Sequence, residues 1–131
     1  MGIVQLKRIN EILKKRAKKA FLYNKKLKDF KQINLPCDIN GWFIYVIRLN
    51  KKYTQKARDK IIKQMTKKGI QCSNYFYPIH LQPYYKEMFG FKKGDFPICE
   101  QISQRTIALP FYNNLKEKEI NFVVKTLRQF L

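Results

Sequence analysis

The stretch Gly41–Asn50, GWFIYVIRLN, constrains the fold of this 131-residue chain more than any other. It is apolar or aromatic almost throughout, interrupted by Arg48, and most of its residues are β-branched or aromatic, which suits a pleated strand. Apolar side chains at both parities predict burial on both faces, so this strand belongs in the middle of a sheet. Ile70–Phe76 alternates Ile70, Cys72, Asn74 and Phe76 against Gln71, Ser73 and Tyr75, as a half-buried strand does. Arg105–Leu109 reads as a third, short strand cut off by Pro110.

Helical spacing fills the rest. From Gly2 to about Phe30 the residues Leu6, Ile9, Leu13, Ala17, Ala20 and Leu27 recur on one face, with Lys and Arg elsewhere, and predict one long amphipathic helix. No Ser, Thr, Asp or Asn precedes Ile3, so the helix starts uncapped, as it would in a chain cut from a longer one. Leu35-Pro36 closes it, because the residue before proline is pushed toward extended geometry. Thr54 is placed to cap a helix through Lys68 with Ala57, Ile61 and Met65 buried and Gly69 as its stop. A helical turn runs from Pro83 to Phe89 and ends at Gly90; Asp95 is then expected to cap a helix with Pro97 in its first turn and Ile98 and Ile102 on one face. Leu115–Leu131 carries Ile120, Val123, Leu127 and Leu131 at helical spacing. The expected fold class is α+β: a long N-terminal helix followed by a small, about three-stranded sheet packed with helices. No repeat, linker or second domain is visible, and 131 residues suffice for one core without disulfides or metal.

Against a hydrophobic content of 45%, the balance of 28 Lys plus Arg to 9 Asp plus Glu gives a formal charge of +19. That charge suggests a small basic RNA- or DNA-binding module, since cations on a surface release counterions from phosphates. Yet 22 of the 28 are Lys, spread along every predicted helix, whereas bidentate phosphate and base recognition favour Arg. Together with abundant Ile, Asn, Tyr and Phe, this composition also matches the codon bias of an AT-rich genome, so nucleic acid is not the expected partner. Cys37, Cys72 and Cys99 are odd in number and lack metal-ligand spacing, which predicts reduced thiols in a cytoplasmic protein with no metal site. No apolar run reaches the roughly 18 residues of a membrane span.

The residues able to meet a small molecule concentrate in Ser73–Pro83, SNYFYPIHLQP. Pro78 and Pro83 stiffen it; Tyr75, Tyr77, Tyr84 and Tyr85 offer stacking surfaces and hydroxyls as one wall. His80, the only histidine, can hold a polar group or pass a proton near neutrality, or can equally be a satisfied, partly buried anchor of the loop; no carboxylate stands at local spacing to make a dyad. There is no Gly-rich phosphate loop, HExxH or GxSxG, so no self-contained catalytic constellation is present in the sequence.

Four blocks in order, GWFIYVIRL, GIQCSNYFYPIHLQPYYKEMFGFKKGDFP, the glutamate-bearing ICEQIS and RTIALPFYNNL, closely resemble the C-terminal domain of the DegT/StrS family of PLP-dependent sugar-nucleotide aminotransferases. The opening GIVQLKRINEILKKRAKKAFLYNKKL is similar to the helix by which that family's large domain leads into its C-terminal domain. The resemblance covers the whole chain and implies the C-terminal domain of a fold-type I aminotransferase, with residues 1–34 as connecting helix and 35–131 as small α+β domain. It implies transfer of an amino group, typically from glutamate, to a keto-sugar carried by a nucleotide. The cofactor of the complete enzyme is pyridoxal 5′-phosphate, whose lysine, acidic partner and most phosphate contacts belong to the large domain. The resemblance therefore implies no catalytic and no cofactor-binding residue in this chain, no PLP bound by it alone, and no activity alone. The implied partners are a large PLP-binding domain or a homodimer mate and a nucleotide-sugar. Residue by residue it carries Tyr75, Tyr77 and His80, with Gln82 more weakly, as sugar-facing groups. One departure is Lys116, where the family often has Thr; a Lys side chain cannot accept the N–H bonds of a cap, which leaves Asn114 as the expected substitute.

Overall fold

The computed structural model describes residues 2–37 and 41–131. Helix α1 (Gly2–Lys7) and helix α2 (Ile9–Leu27) lead into strand β1 (Ile33–Asn34), followed by β2 (Tyr45–Leu49), helix α3 (Gln55–Lys67), a 3-10 turn (Ile79–Leu81), α4 (Pro83–Phe89), α5 (Pro97–Ser103), β3 (Thr106–Leu109) and α6 (Glu117–Arg128). The sheet is antiparallel in the order β1-β2-β3, with Ile33 opposite Leu49 and Tyr45 opposite Leu109. The apolar run is thus the central strand, as its composition requires. Its fully buried face is Tyr45, Ile47 and Leu49, while Val46 and Arg48 on the other face are half-buried. The expected burial on both faces is thus corrected: one face is fully buried and the other only half-buried.

One core joins that face to three helices: Ala20, Tyr23 and Leu27 of α2, Ile61 and Met65 of α3, and Ile120, Val123 and Leu127 of α6. Each fully buried Leu or Ile contributes about 1.5–3 kcal/mol of transfer free energy. Tyr23 stacks on Tyr45 at 4.6 Å between ring centroids, and both phenols find acceptors, Pro110 O at 2.9 Å and Asn24 Oδ1 at 2.6 Å. Arg16 ties α2 to the far loops by donating to Asn113 Oδ1 at 2.9 Å and to Trp42 O at 3.2 Å.

Several expectations are corrected by the structure. The N-terminal helix is not continuous: at Arg8 the ladder steps to an i→i−3 bond, Arg8 N to Gln5 O at 3.0 Å. No residue of α1 is buried, so nothing tertiary holds it in register with α2. The buried stripe begins only at Ala20, and Leu6, Ile9 and Ala17 lie exposed. The helix ends at Leu27, inside the expected 1–34 boundary, and Ile33–Asn34 forms an edge strand because Ile33 is needed in the core.

Ile70–Phe76 is not a strand. It buries Ile70 and Cys72 as its alternation predicts, but makes a single bridge, Ser73 with Ala108. Beyond it the Tyr75 carbonyl is satisfied by the Thr106 hydroxyl at 2.8 Å rather than by a ladder N–H. Asp95 does not cap α5, since its carboxylate accepts Lys92 N–H at 2.9 Å to close the preceding turn; Phe96 holds the cap position before Pro97. On α5 the buried residue is Glu100, while Ile98 is exposed. Asn114 does not cap α6 either: Glu119 reaches back to accept Lys116 N–H at 2.6 Å. That is half of a capping box, with no side-chain acceptor available from Lys116 itself.

Thr54 and Gly69 act as expected, the former accepting Ala57 N–H at 3.3 Å and the latter adopting φ +77° after α3. The three cysteines are free; burial pushes the Cys72 thiol up to about 12, while Cys37 and Cys99 are exposed. Among the described residues no helix is long and apolar enough to cross a membrane, and no three His, Cys, Asp or Glu side chains group as metal ligands would.

Candidate functional site

Strand β3 anchors the start of the aromatic loop through Ala108 N to Ser73 O at 2.8 Å and Thr106 Oγ1 to Tyr75 O at 2.8 Å. The chain then turns at Pro78, whose ring is buried, into the 3-10 turn that carries His80. Gln82 follows in extended geometry and starts α4, with Pro83 at its first position where a missing N–H costs nothing. Gly90, at φ +69°, ends α4. A tight turn and α5 bring the chain back under the loop.

The return places a carboxylate beside the histidine. His80 Nε2 lies 3.0 Å from Glu100 Oε1, and both side chains are buried, each 7% exposed. The same oxygen accepts Gly94 N–H at 2.8 Å. Those two bonds, the Gly94 amide first and His80 next, hold the Glu100 carboxyl below the usual carboxylate range against the opposing cost of burial. The imidazole packs against Phe96 at 4.7 Å and edge-on to Phe91 at 6.4 Å. The dyad sought at local spacing therefore exists, but its acid comes from twenty positions further along the chain.

The remaining candidates divide. Tyr77 is exposed and lines a cavity of about 180 Å³ together with Arg58, Asn74, Lys93 and Glu100. Tyr75 is half-buried against Phe76 at 3.9 Å and Phe43 at 6.5 Å. Tyr84 and Tyr85 meet each other edge-on at 5.4 Å and run on to Phe89, so the four tyrosines form two clusters rather than one wall. His80 faces a separate, apolar cavity of about 340 Å³ with Tyr85, Phe91 and Phe96. Gln82 is exposed, and its backbone serves the turn.

Of two further residues of the site, Glu100 was marked in the sequence only as the glutamate of the ICEQIS block, without a role, and Arg58 was not singled out. Arg58 is 3% exposed and donates from Nη1 to Ser103 O at 3.1 Å and Thr106 O at 3.2 Å, and from Nε to Asp59 at 2.7 Å. It thereby joins α3, the end of α5 and β3 under the cavity floor. Besides that block, the local signal for Glu100 is an acid in the first turn of α5, where the helix dipole favours it. Nothing local distinguished Arg58 from the solvated cations around it.

The cavity's donors do not fit pyridoxal phosphate. It has one lysine, Lys93, and one acid, Glu100, whose oxygen is already engaged by His80 and Gly94, and no cradle of backbone N–H groups for a phosphate. At about 180 Å³ it is also smaller than the ~300–1,000 Å³ of complete ligand pockets. The arrangement can hydrogen-bond a hydroxyl-rich ligand from one side. Lysines such as Lys14, Lys18, Lys60, Lys63 and Lys125 are exposed on α2, α3 and α6 rather than gathered in one groove.

A small antiparallel sheet under three helices, with an aromatic loop pinned to its edge strand, is a fold shared with solved sugar aminotransferases. Residues 1–128 match the DegT/DnrJ/EryC1/StrS aminotransferase family, and the chain belongs to that family. Over its full length it is 31% identical to MJ1066 of Methanocaldococcus jannaschii and 27% identical to the spore coat polysaccharide biosynthesis protein SpsC of Bacillus subtilis, covering 35% of each. Its fold is shared with Helicobacter pylori PseC, an aminotransferase involved in the biosynthesis of pseudoaminic acid, at a TM-score of 0.87 and 21% identity over 98% of this chain and 33% of that one. The chain spans about a third of the length of these relatives. The family is PLP-dependent, and solved proteins of this fold include a PLP form and a PMP form.

Proposed function

We propose that these residues form the C-terminal domain of an aminotransferase acting on nucleotide-linked keto-sugars, with glutamate as amino donor, and that the domain supplies one wall of the substrate site. One observation carries this reading: a polar cavity lined by Tyr77, Arg58 and Glu100 that is too small for a complete site, in a chain matched along its length by the aminotransferase family. Tyr77 offers a ring face and a hydroxyl to the sugar, the half-buried Tyr75 and exposed Gln82 of the same loop are further sugar-facing candidates, and His80 stiffens the loop through its bond to Glu100. The electron sink of the reaction comes from PLP held by a large domain or a dimer mate, since side chains of the kinds present here do not supply it. The complete enzyme works in the cytoplasm, where nucleotide-sugars are made.

The test is an NMR titration of the chain with UDP-N-acetylglucosamine as probe. Shifts confined to the loop from Asn74 to Gln82 and to α5 support the proposal. Shifts spread over the lysines of α2 and α3, and abolished by modest salt, would sink it and leave only charge attraction. A short RNA as second probe addresses the nucleic-acid alternative: specific, submicromolar binding would replace the aminotransferase reading, and weak binding lost at modest salt removes the alternative.

A further inference from the structure

We propose that Glu100 is a positioning residue: its carboxylate fixes the orientation and tautomer of the His80 ring and locks the 91–96 turn beneath the 3-10 turn, so that the loop bearing Tyr77 is shaped before a ligand arrives. The part concerning the ligand rests on the proposed function above; the part concerning His80 stands on geometry alone.

Glu100 Oε1 receives both His80 Nε2 at 3.0 Å and Gly94 N at 2.8 Å. A carboxylate only accepts, so both partners donate, and the neutral imidazole carries its proton on Nε2 with Nδ1 left as acceptor. Both partners come from segments outside the long helices and the sheet, which have few ladder bonds of their own. The carboxylate is buried, a state that is costly for a charge unless it is bonded in this way. Gly94 sits at φ +101°, which aims its N–H at the acid and excludes side chains of L residues.

The acid is itself held. Ser103 Oγ donates to Glu100 O at 2.9 Å, and Arg58 clamps the adjoining Ser103 carbonyl to the Thr106 carbonyl of β3. A continuous line of contacts therefore runs from the sheet through Arg58 and α5 to Glu100, His80 and the loop. Glu100 also lines the cavity beside Tyr77, so its removal alters the wall directly as well as through His80.

The single histidine makes the test clean, because the imidazole nitrogen spectrum of the labelled chain contains one ring. At about pH 8, where a free imidazole is neutral, the wild type should show a protonated Nε2 and an unprotonated Nδ1, with the Gly94 amide shifted downfield. In E100A the ring nitrogens should move toward tautomer-averaged positions, and the Gly94 amide should exchange with solvent about tenfold faster or more. Amides of β2 and β3 should keep their protection, which separates local release from global unfolding. E100Q keeps a neutral acceptor and should restore part of the effect; if E100A does not fold, E100Q decides, with an unchanged ring and Gly94 amide overturning the proposal. Unchanged ring nitrogens in a folded E100A overturn it too. In parallel, E100A should bind UDP-N-acetylglucosamine about fivefold more weakly than wild type. A wild type that does not bind this probe would count against the proposed function, while the ring spectra would still decide whether Glu100 sets His80; equal binding by E100A would refute the preorganisation of the loop.

Discussion

The Tyr45 hydroxyl donates to Asn24 Oδ1 at 2.6 Å, so the central strand is bonded sideways to the helix that packs on it. Tyr45 is fully buried, and burial pushes its phenol well above the usual range, so the group acts only as a neutral donor. Tyr45→Phe keeps the stack on Tyr23 and loses the bond, and should lower stability by about 1 kcal/mol. The corresponding fall in Tm is about 4 °C, readable by calorimetry. A variant melting with the wild type would show that the bond is replaced by water at no cost.

Arg58 should be far more sensitive. Arg58→Ala removes a buried cation that satisfies two carbonyls and leaves a void, and should cost about 3 kcal/mol. Arg58→Lys retains the charge but lacks the planar fork that reaches Ser103 and Thr106 together, and should recover less than half of the loss. Urea midpoints of the two variants, with unchanged slope, are the measurement; full recovery by Lys would mean that charge rather than geometry matters.

Acid should loosen the loop before the sheet. Glu100 is depressed below its ordinary value of 4.5, so its contribution is fully present above the unfolded value and is lost as pH falls through the folded one. The groups facing it are His80, bonded to the same carboxylate, Asp95, which closes the same turn, and Arg58 and Lys93, which line the same cavity. Gly94 amide exchange, corrected for intrinsic rates, should be flat from neutrality to about pH 5 and rise below it. The same profile in E100Q should show a smaller rise at low pH than the wild type, since Asp95 still closes the turn through Lys92 N–H.

The half-made cap of α6 can be completed. Lys116 already has extended geometry, φ −83° and ψ 153°, and Glu119 already supplies the reciprocal bond. Lys116→Thr adds a side-chain acceptor at the cap beside the Lys116 carbonyl that the Glu119 N–H already uses at 3.0 Å, and should stabilise the chain by about 1 kcal/mol. Equal or lower stability in chemical denaturation would mean that the Lys116 stem makes compensating contacts.

Local pattern was enough wherever a residue's neighbours in sequence decide its state. The central strand, the Thr54 cap, the Gly69 and Gly90 stops and the buried face of α6 were legible for that reason. Strand β1 was not: Ile33–Asn34 is too short to show a period, and Ile70–Phe76, read as a strand, has the right alternation but finds one partner. The loop was recognised from its residue types, whereas the pairing of His80 with Glu100 depends on α5 folding back, which no spacing encodes. Arg58 looked like any other cation of a basic chain, because only the tertiary fold distinguishes a buried guanidinium from a solvated one.

Helices α2 and α6 pack against each other in the core and are bridged at the surface by Lys26 and Glu117 at 2.9 Å. During synthesis the first of these emerges long before the second. At ~5–20 residues per second, the face formed by Ala20, Tyr23 and Leu27 waits roughly 5–20 s for its mate. Throughout that interval it is a sticky amphipathic ribbon beside many lysines, available to a holding chaperone or to a neighbouring nascent chain. Codon changes that slow the ribosome between the two helices should therefore reduce soluble yield without altering a single amino acid.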